Sequence, residues 1–130
     1  MDISELFYRF VFPSVRKRLV EILYREVGLT QEKVAEKTYL TQSAVSRYIK
    51  GGRGSYIEIS KFKDIDEMLK ELARKIVDGE MDEYSLQYHL ARVAFEALSR
   101  GYICPYHGKI DPELDLDRCN ICKDLFRKRH

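Results

Sequence analysis

No apolar run in this sequence approaches the roughly 18–20 residues needed to cross a bilayer, so no membrane-spanning helix is expected. Met1–Phe12 lacks a basic start and carries Asp2 and Glu5; it does not read as a secretory signal, and a cytoplasmic location is expected. Cysteine is scarce. All three lie in the last 27 residues, an odd number that argues against a disulfide framework and towards metal or redox chemistry. A Gly-rich phosphate loop is missing, as is a Ser or Cys nucleophile with a His to orient it. The carboxylate pairs Asp64/Asp66 and Asp115/Asp117 have no partner base and read as caps and solvated loop. No enzyme and no small-molecule substrate is therefore expected. Internal repeats and low-complexity tracts are also lacking.

What remains is enough for one domain, or one small domain with an appendage: 130 residues, 45% hydrophobic and 34% charged. A net charge of +2 alone does not argue for a nucleic-acid partner, but its distribution does. Residues 1–60 hold ten Lys/Arg against seven Asp/Glu, residues 61–100 seven against nine, and residues 101–130 six against five. Thr41–Gly54 carries three bases, Arg47, Lys50 and Arg53, and no acid.

The hydrophobic spacing is helical almost throughout. Asp2 with Glu5 three residues on predicts a helix start, followed by Ile3, Leu6, Phe7, Phe10 and Val11 on one face. Pro13 is expected to break that segment, and a second helix to start at Ser14 with Val15, Leu19, Ile22 and Leu23 inward and Arg16, Lys17, Arg18 and Arg25 outward. Phe7, Tyr8 and Phe10 suit either a dimer face or plain core packing. Thr30 and Thr41 are placed to cap two short helices joined by a turn at Thr38–Leu40. Gly51–Ser55 reads as a linker and Tyr56–Ser60 as a short extended segment. Two longer helices follow. The first has Ile65, Leu69, Leu72, Ala73, Ile76 and Val77 inward; the second spans about Asp82–Arg100 with Leu86, Leu90, Val93, Ala94, Ala97 and Leu98 on one stripe. His89 on that helix reads as a packed or surface residue. From Tyr102 onward helical period is lost until the end of the chain.

Gln31–Lys50 carries the functional argument. Two short helices crossing steeply need small or branched facing residues, supplied by Ala35, Leu40, Val45 and Ile49. The outward face of the second helix is then Gln42, Ser43, Ser46, Arg47 and Lys50. Gln pairs with adenine and Arg with guanine through two hydrogen bonds each, and Ser reaches several base edges. Lys50 and Arg53 suit phosphates, and Gln31 and Thr41 stand near helix N-termini, where anions are favoured.

These residues, Gln31, Val34-Ala35, Leu40-Thr41-Gln42-Ser43-Ala44-Val45-Ser46 and Ile49-Lys50-Gly51, resemble the helix-turn-helix of phage-repressor-like (Xre/Cro-type) regulators. The resemblance covers Val15 to about Gly54. It implies a backbone contact by Gln31, base reading by Gln42 and Ser43, and two-fold dimers on palindromic sites. One position departs from the pattern: Tyr39 stands where the turn usually holds Gly. A non-Gly residue at positive φ costs roughly 1 kcal/mol or more, so either the turn is built differently or the strain is tolerated.

Cys104-Pro-Tyr-His107 and Cys119-Asn-Ile-Cys122 form two x-x-spaced pairs separated by eleven residues. Three thiolates and an imidazole would complete a tetrahedral zinc site, holding together an irregular segment with little to bury. An iron–sulfur cluster is the alternative cofactor, and loose reduced cysteines are the plain one. Joined to the helix-turn-helix, this tail resembles predicted archaeal transcriptional regulators. The basic end Lys123–His130 suits phosphates or a solvated terminal turn.

The expected fold is all-α: a repressor-like helix-turn-helix bundle (1–54), two long helices (55–101) that offer a dimer seam, and a small metal-stapled knuckle (102–130). The expected function is sequence-specific reading of double-stranded DNA in the major groove by a homodimeric regulator. The other classes are an adaptor that binds protein partners through a zinc knuckle, and an iron–sulfur redox or iron sensor.

Overall fold

A computed structural model describes residues 1–126; the terminal stretch that includes Arg127, Lys128, Arg129 and His130 lies outside the described residues. Among the described residues every regular element is helical, and no helix is long and apolar enough to cross a membrane.

The chain opens on one helical run, residues 3–26, in four stretches: α1 (Ile3–Leu6), a π-helical turn (Phe7–Val11), α2 (Phe12–Glu21) and a second π-helical turn (Ile22–Glu26). The Asp2 carboxylate caps it by accepting from the Glu5 amide at 2.9 Å. Pro13 does not break it, contrary to expectation. The wide turn that precedes Pro13 relaxes the usual i→i−4 bonding, where Pro has no N–H to offer, and puts Pro13 in the first turn of α2. The buried Ser14 hydroxyl donates to the Phe10 carbonyl at 2.6 Å, so a polar group there is satisfied.

Two short helices follow, α3 (Gln31–Thr38) and α4 (Gln42–Ile49). Residues 55–62 cross back over the run. Ile57 and Ile59 alternate inward as expected, but no strand forms; Ile59–Lys61 is a single 3₁₀ turn. The two long helices are α5 (Lys63–Val77) and α6 (Glu83–Ser99). All their expected inward positions are buried except Val77, which is exposed at the C-terminal end of α5. The tail departs most from expectation. Cys104–Ile110 forms a helix, α7, and Ile121–Leu125 a short last one, α8.

One apolar core runs from Leu6 to Cys122, with Tyr106 and Ile110 of α7 packed against it. The helical run is its spine: Val11, Val15, Leu19, Val20, Ile22 and Leu23 are nearly inaccessible along it. Fully burying an aliphatic side chain of this size contributes about 1.5–3 kcal/mol. Phe7 bridges the run to the tail, packing on Phe95 of α6, which itself stacks on Phe126 at 4.7 Å. Phe7 and Phe10 thus serve core packing, while Tyr8 stays 76% exposed.

Two charged residues expected on the surface are drawn inward. Arg18 extends from α2 to Asp66 of α5, with Nε at 2.6 Å and Nη2 at 3.1 Å from the two carboxylate oxygens. Glu26 and Lys70 extend this network outward. Asp66 is therefore neither cap nor solvated loop. Asp64 meets Arg100 and accepts from the Tyr102 hydroxyl at 2.8 Å, tying α5 to the end of α6.

Candidate nucleic-acid interface

The two short helices are fixed from the sequence upward by their caps. Thr30 Oγ1 accepts from the Lys33 amide and Thr41 Oγ1 from the Ala44 amide, each at 3.1 Å, so both residues cap as expected. Val34, Ala35, Val45 and Tyr48 face the core, and Leu40 sits half-buried in the corner between them and the helical run. The opposite face of α4 is left to solvent.

The turn between the helices is strained and intact. Tyr39 ends α3 in the left-handed region, φ 59° and ψ 31°, and is the one non-Gly residue at positive φ among those described. Its amide donates to the Ala35 carbonyl, and the Leu40 amide also reaches that carbonyl at 3.1 Å, so the turn keeps the geometry that Gly normally supplies. Tyr39→Gly is expected to raise stability by about 0.5–1 kcal/mol, because it removes the left-handed cost. A higher denaturant midpoint with an unchanged slope checks this. A lower one would mean that the ring, whose hydroxyl lies 3.5 Å from the Met81 carbonyl, contributes more than the strain costs.

Gln31, Gln42, Ser43, Ser46 and Arg47 line one open depression on this exposed face. Gln31 opens α3 and Gln42 opens α4, so the positive ends of two helix dipoles meet there. Thr41, the cap beside Gln42, is exposed on the same side. Lys50 ends α4 and is exposed. Arg53 lies beyond it on the Gly51–Ser55 turn, its guanidinium 5.6 Å from the Tyr48 ring centre. The arrangement offers hydrogen-bonding side chains on a helix face that no other described residue covers, with cations at its far end. That suits a polyanion whose bases are read from a groove wide enough for a helix.

Two residues were missed by the sequence reading. Arg25 Nη2 donates to the Ile49 carbonyl at 3.3 Å, placing a cation at the end of α4 where the helix dipole is negative. It lies 24 residues upstream, beyond any local spacing rule. Arg9 lines a groove with Arg53, although its pairing with Glu5 suggests only a solvated helix face.

The tail brings its four candidate ligands into one region but does not close a shell. Cys104 and His107 lie one turn apart on α7, Cys119 just precedes α8, and Cys122 is buried within it. Burial, then the nearby Cys104 and Cys119, pushes the Cys122 thiol up to about 11. The His107 Nε2 lies 3.1 Å from the Met1 carbonyl oxygen. Among the described residues no three Cys, His, Asp or Glu side chains gather around a point that a metal ion could occupy. The donor types suit a soft divalent ion; their arrangement, as placed, does not. The expected loop gives way in part to helical packing, in which Gly108 lies beneath Leu116 and Cys122 joins the core.

Residues 21–76, from the end of α2 to the last turn of α5, match a family model described as helix-turn-helix. The span includes all the residues on the depression. No curated protein and no solved structure matches the chain.

Proposed function

We propose that the protein is a sequence-specific, non-enzymatic transcriptional regulator that lays α4 in the major groove of double-stranded DNA. Gln42, Ser43, Ser46 and Arg47 read base edges; Gln31, Thr41, Lys50 and Arg53 hold the backbone. The observation that carries this reading is the shared depression lined by Gln31, Gln42, Ser43, Ser46 and Arg47 at two helix N-termini. An ordinary solvated face would be furnished with Glu/Lys pairs, and α4 has none. The proposal includes a two-fold dimer with half-sites about one helical turn apart, seamed on α6, where Tyr84 and Tyr88 stand exposed. The direct test is selection of bound duplexes from a random pool at physiological salt. Enrichment of a shared motif supports the reading. A pool that stays random, together with capture of a protein partner that survives replacement of Arg47 and Lys50, would favour the adaptor instead.

A second reading concerns the tail. Three thiols and an imidazole in one region support zinc on the chemistry of the donors, with Cys104, His107, Cys119 and Cys122 as the holders. Bound there, zinc would cross-link α7 to α8. Metal analysis of the purified protein is expected to give about one zinc per chain, lost in Cys122→Ser. A brown protein would indicate an iron–sulfur cluster, and a metal-free protein whose melting a chelator does not change would remove both.

A further inference from the structure

Beside the end of α4 runs a groove that the base-reading face does not account for. One wall is the N-terminal helical run, with Tyr8, Arg9 and Phe10; the other is the turn carrying Arg53 and Tyr56. The walls are joined by the Phe10 and Tyr56 rings, whose centres are 5.1 Å apart. The turn is seated firmly. Gly54 has φ +72°, and a Cβ there would stand 2.4 Å from the Pro13 carbonyl oxygen, so only glycine lets the turn lie on α2. Gly52 donates its amide to the Arg47 carbonyl at 3.0 Å, which makes the groove continuous with the last turn of α4.

The groove is basic. The acid beside it is Glu5, which meets Arg9 at 3.0 Å with both side chains about half exposed. An exposed pair of this kind is worth about 0–1 kcal/mol, so a phosphate can take Arg9 from it at small cost. Arg53 already has its guanidinium near an aromatic face, which restricts the search for a partner.

We propose that this groove grips the backbone of the duplex flanking the bases beneath α4, with Arg9 and Arg53 on phosphates from two separate chain segments. This deepens the DNA reading and rests on it. The site on DNA is then longer than the base pairs that α4 spans, and the N-terminal run is part of the interface.

The experiment compares wild type, Arg9→Ala and Arg53→Ala on the selected duplex at several salt concentrations. The same measurement is repeated on that duplex trimmed to the bases beneath α4. Each variant is expected to bind the long duplex several-fold more weakly. The slope of log affinity against log salt should fall by about 0.9 for each arginine. The preference for selected over scrambled long duplex should not change. On the trimmed duplex Arg9→Ala should bind as wild type does. Both arginines are exposed, and matching thermal melts confirm that the fold is kept. Wild-type affinity and slope for Arg9→Ala, while Gln42→Ala with Ser43→Ala loses sequence preference, would overturn the groove and leave the reading helix standing. A wild type that prefers no duplex would overturn the DNA reading itself.

Discussion

Gln42→Ala combined with Ser43→Ala is expected to keep duplex binding but erase most of its sequence preference. Both side chains are exposed on the first turn of α4 and make no hydrogen bond among the described residues. Alanine is the best helix former, so α4 should persist under its Thr41 cap. What disappears is readout. A good bidentate pair to a base discriminates by about 1–3 kcal/mol, roughly 5- to 150-fold, and a serine contact adds a smaller share. The backbone contacts of Lys50 and Arg53 remain, so affinity for random duplex should hardly move. Competition between selected and scrambled duplexes at one fixed salt concentration measures the ratio. A ratio that stays at the wild-type value would shift base reading to Ser46 and Arg47, one turn further along the helix.

Asp66→Ala should cost the most stability of any single surface-looking change, about 3–5 kcal/mol. The carboxylate is 9% exposed and accepts both hydrogen bonds of the Arg18 fork. Its removal leaves a guanidinium, itself 16% exposed, without its two-pronged partner and with Glu26 as its remaining ion pair among the described residues. That cation is held more basic by its hydrogen bond to Asp66 and cannot escape by losing its proton. Arg18→Met with Asp66→Leu should recover most of the loss, because apolar pairs of similar volume replace buried ion pairs at little cost. Denaturant unfolding of the three variants separates the outcomes. A loss below about 1 kcal/mol for Asp66→Ala would mean that water reaches Arg18 freely.

The parts of this molecule that were legible in the sequence are those built from neighbours. Asp2, Thr30 and Thr41 cap where their spacing places them, because a cap needs only a side-chain oxygen and an amide three residues on. The stripes of α5 and α6 follow from helical period, with Val77 lost only where α5 ends. The exposed polar face of α4 was legible for the same reason: two capped helices and four inward residues leave few ways to orient Gln42 and Arg47. What failed to show depends on distance along the chain. Arg18 and Asp66 are 48 residues apart, and no pattern in either neighbourhood links them. Pro13 looked like a break because the π-helical turn that accommodates it carries no residue signature of its own. The tail differs in another way: Cys and His at x-x spacing suit an irregular knuckle and one helical turn alike, and Cys104 and His107 take the helical form on α7.

The π-helical turn at Phe7–Val11 also sets an angle. A wide turn holds one residue more than an α-helical path requires, and one residue is about 100° of rotation around the axis. The stretch before it, α1, and the part of the turn that carries Tyr8 and Arg9 are thereby rotated relative to α2, against which α4 packs. The chain thus fixes the bearing of its two arms by counting residues within a single rod, with no hinge between them.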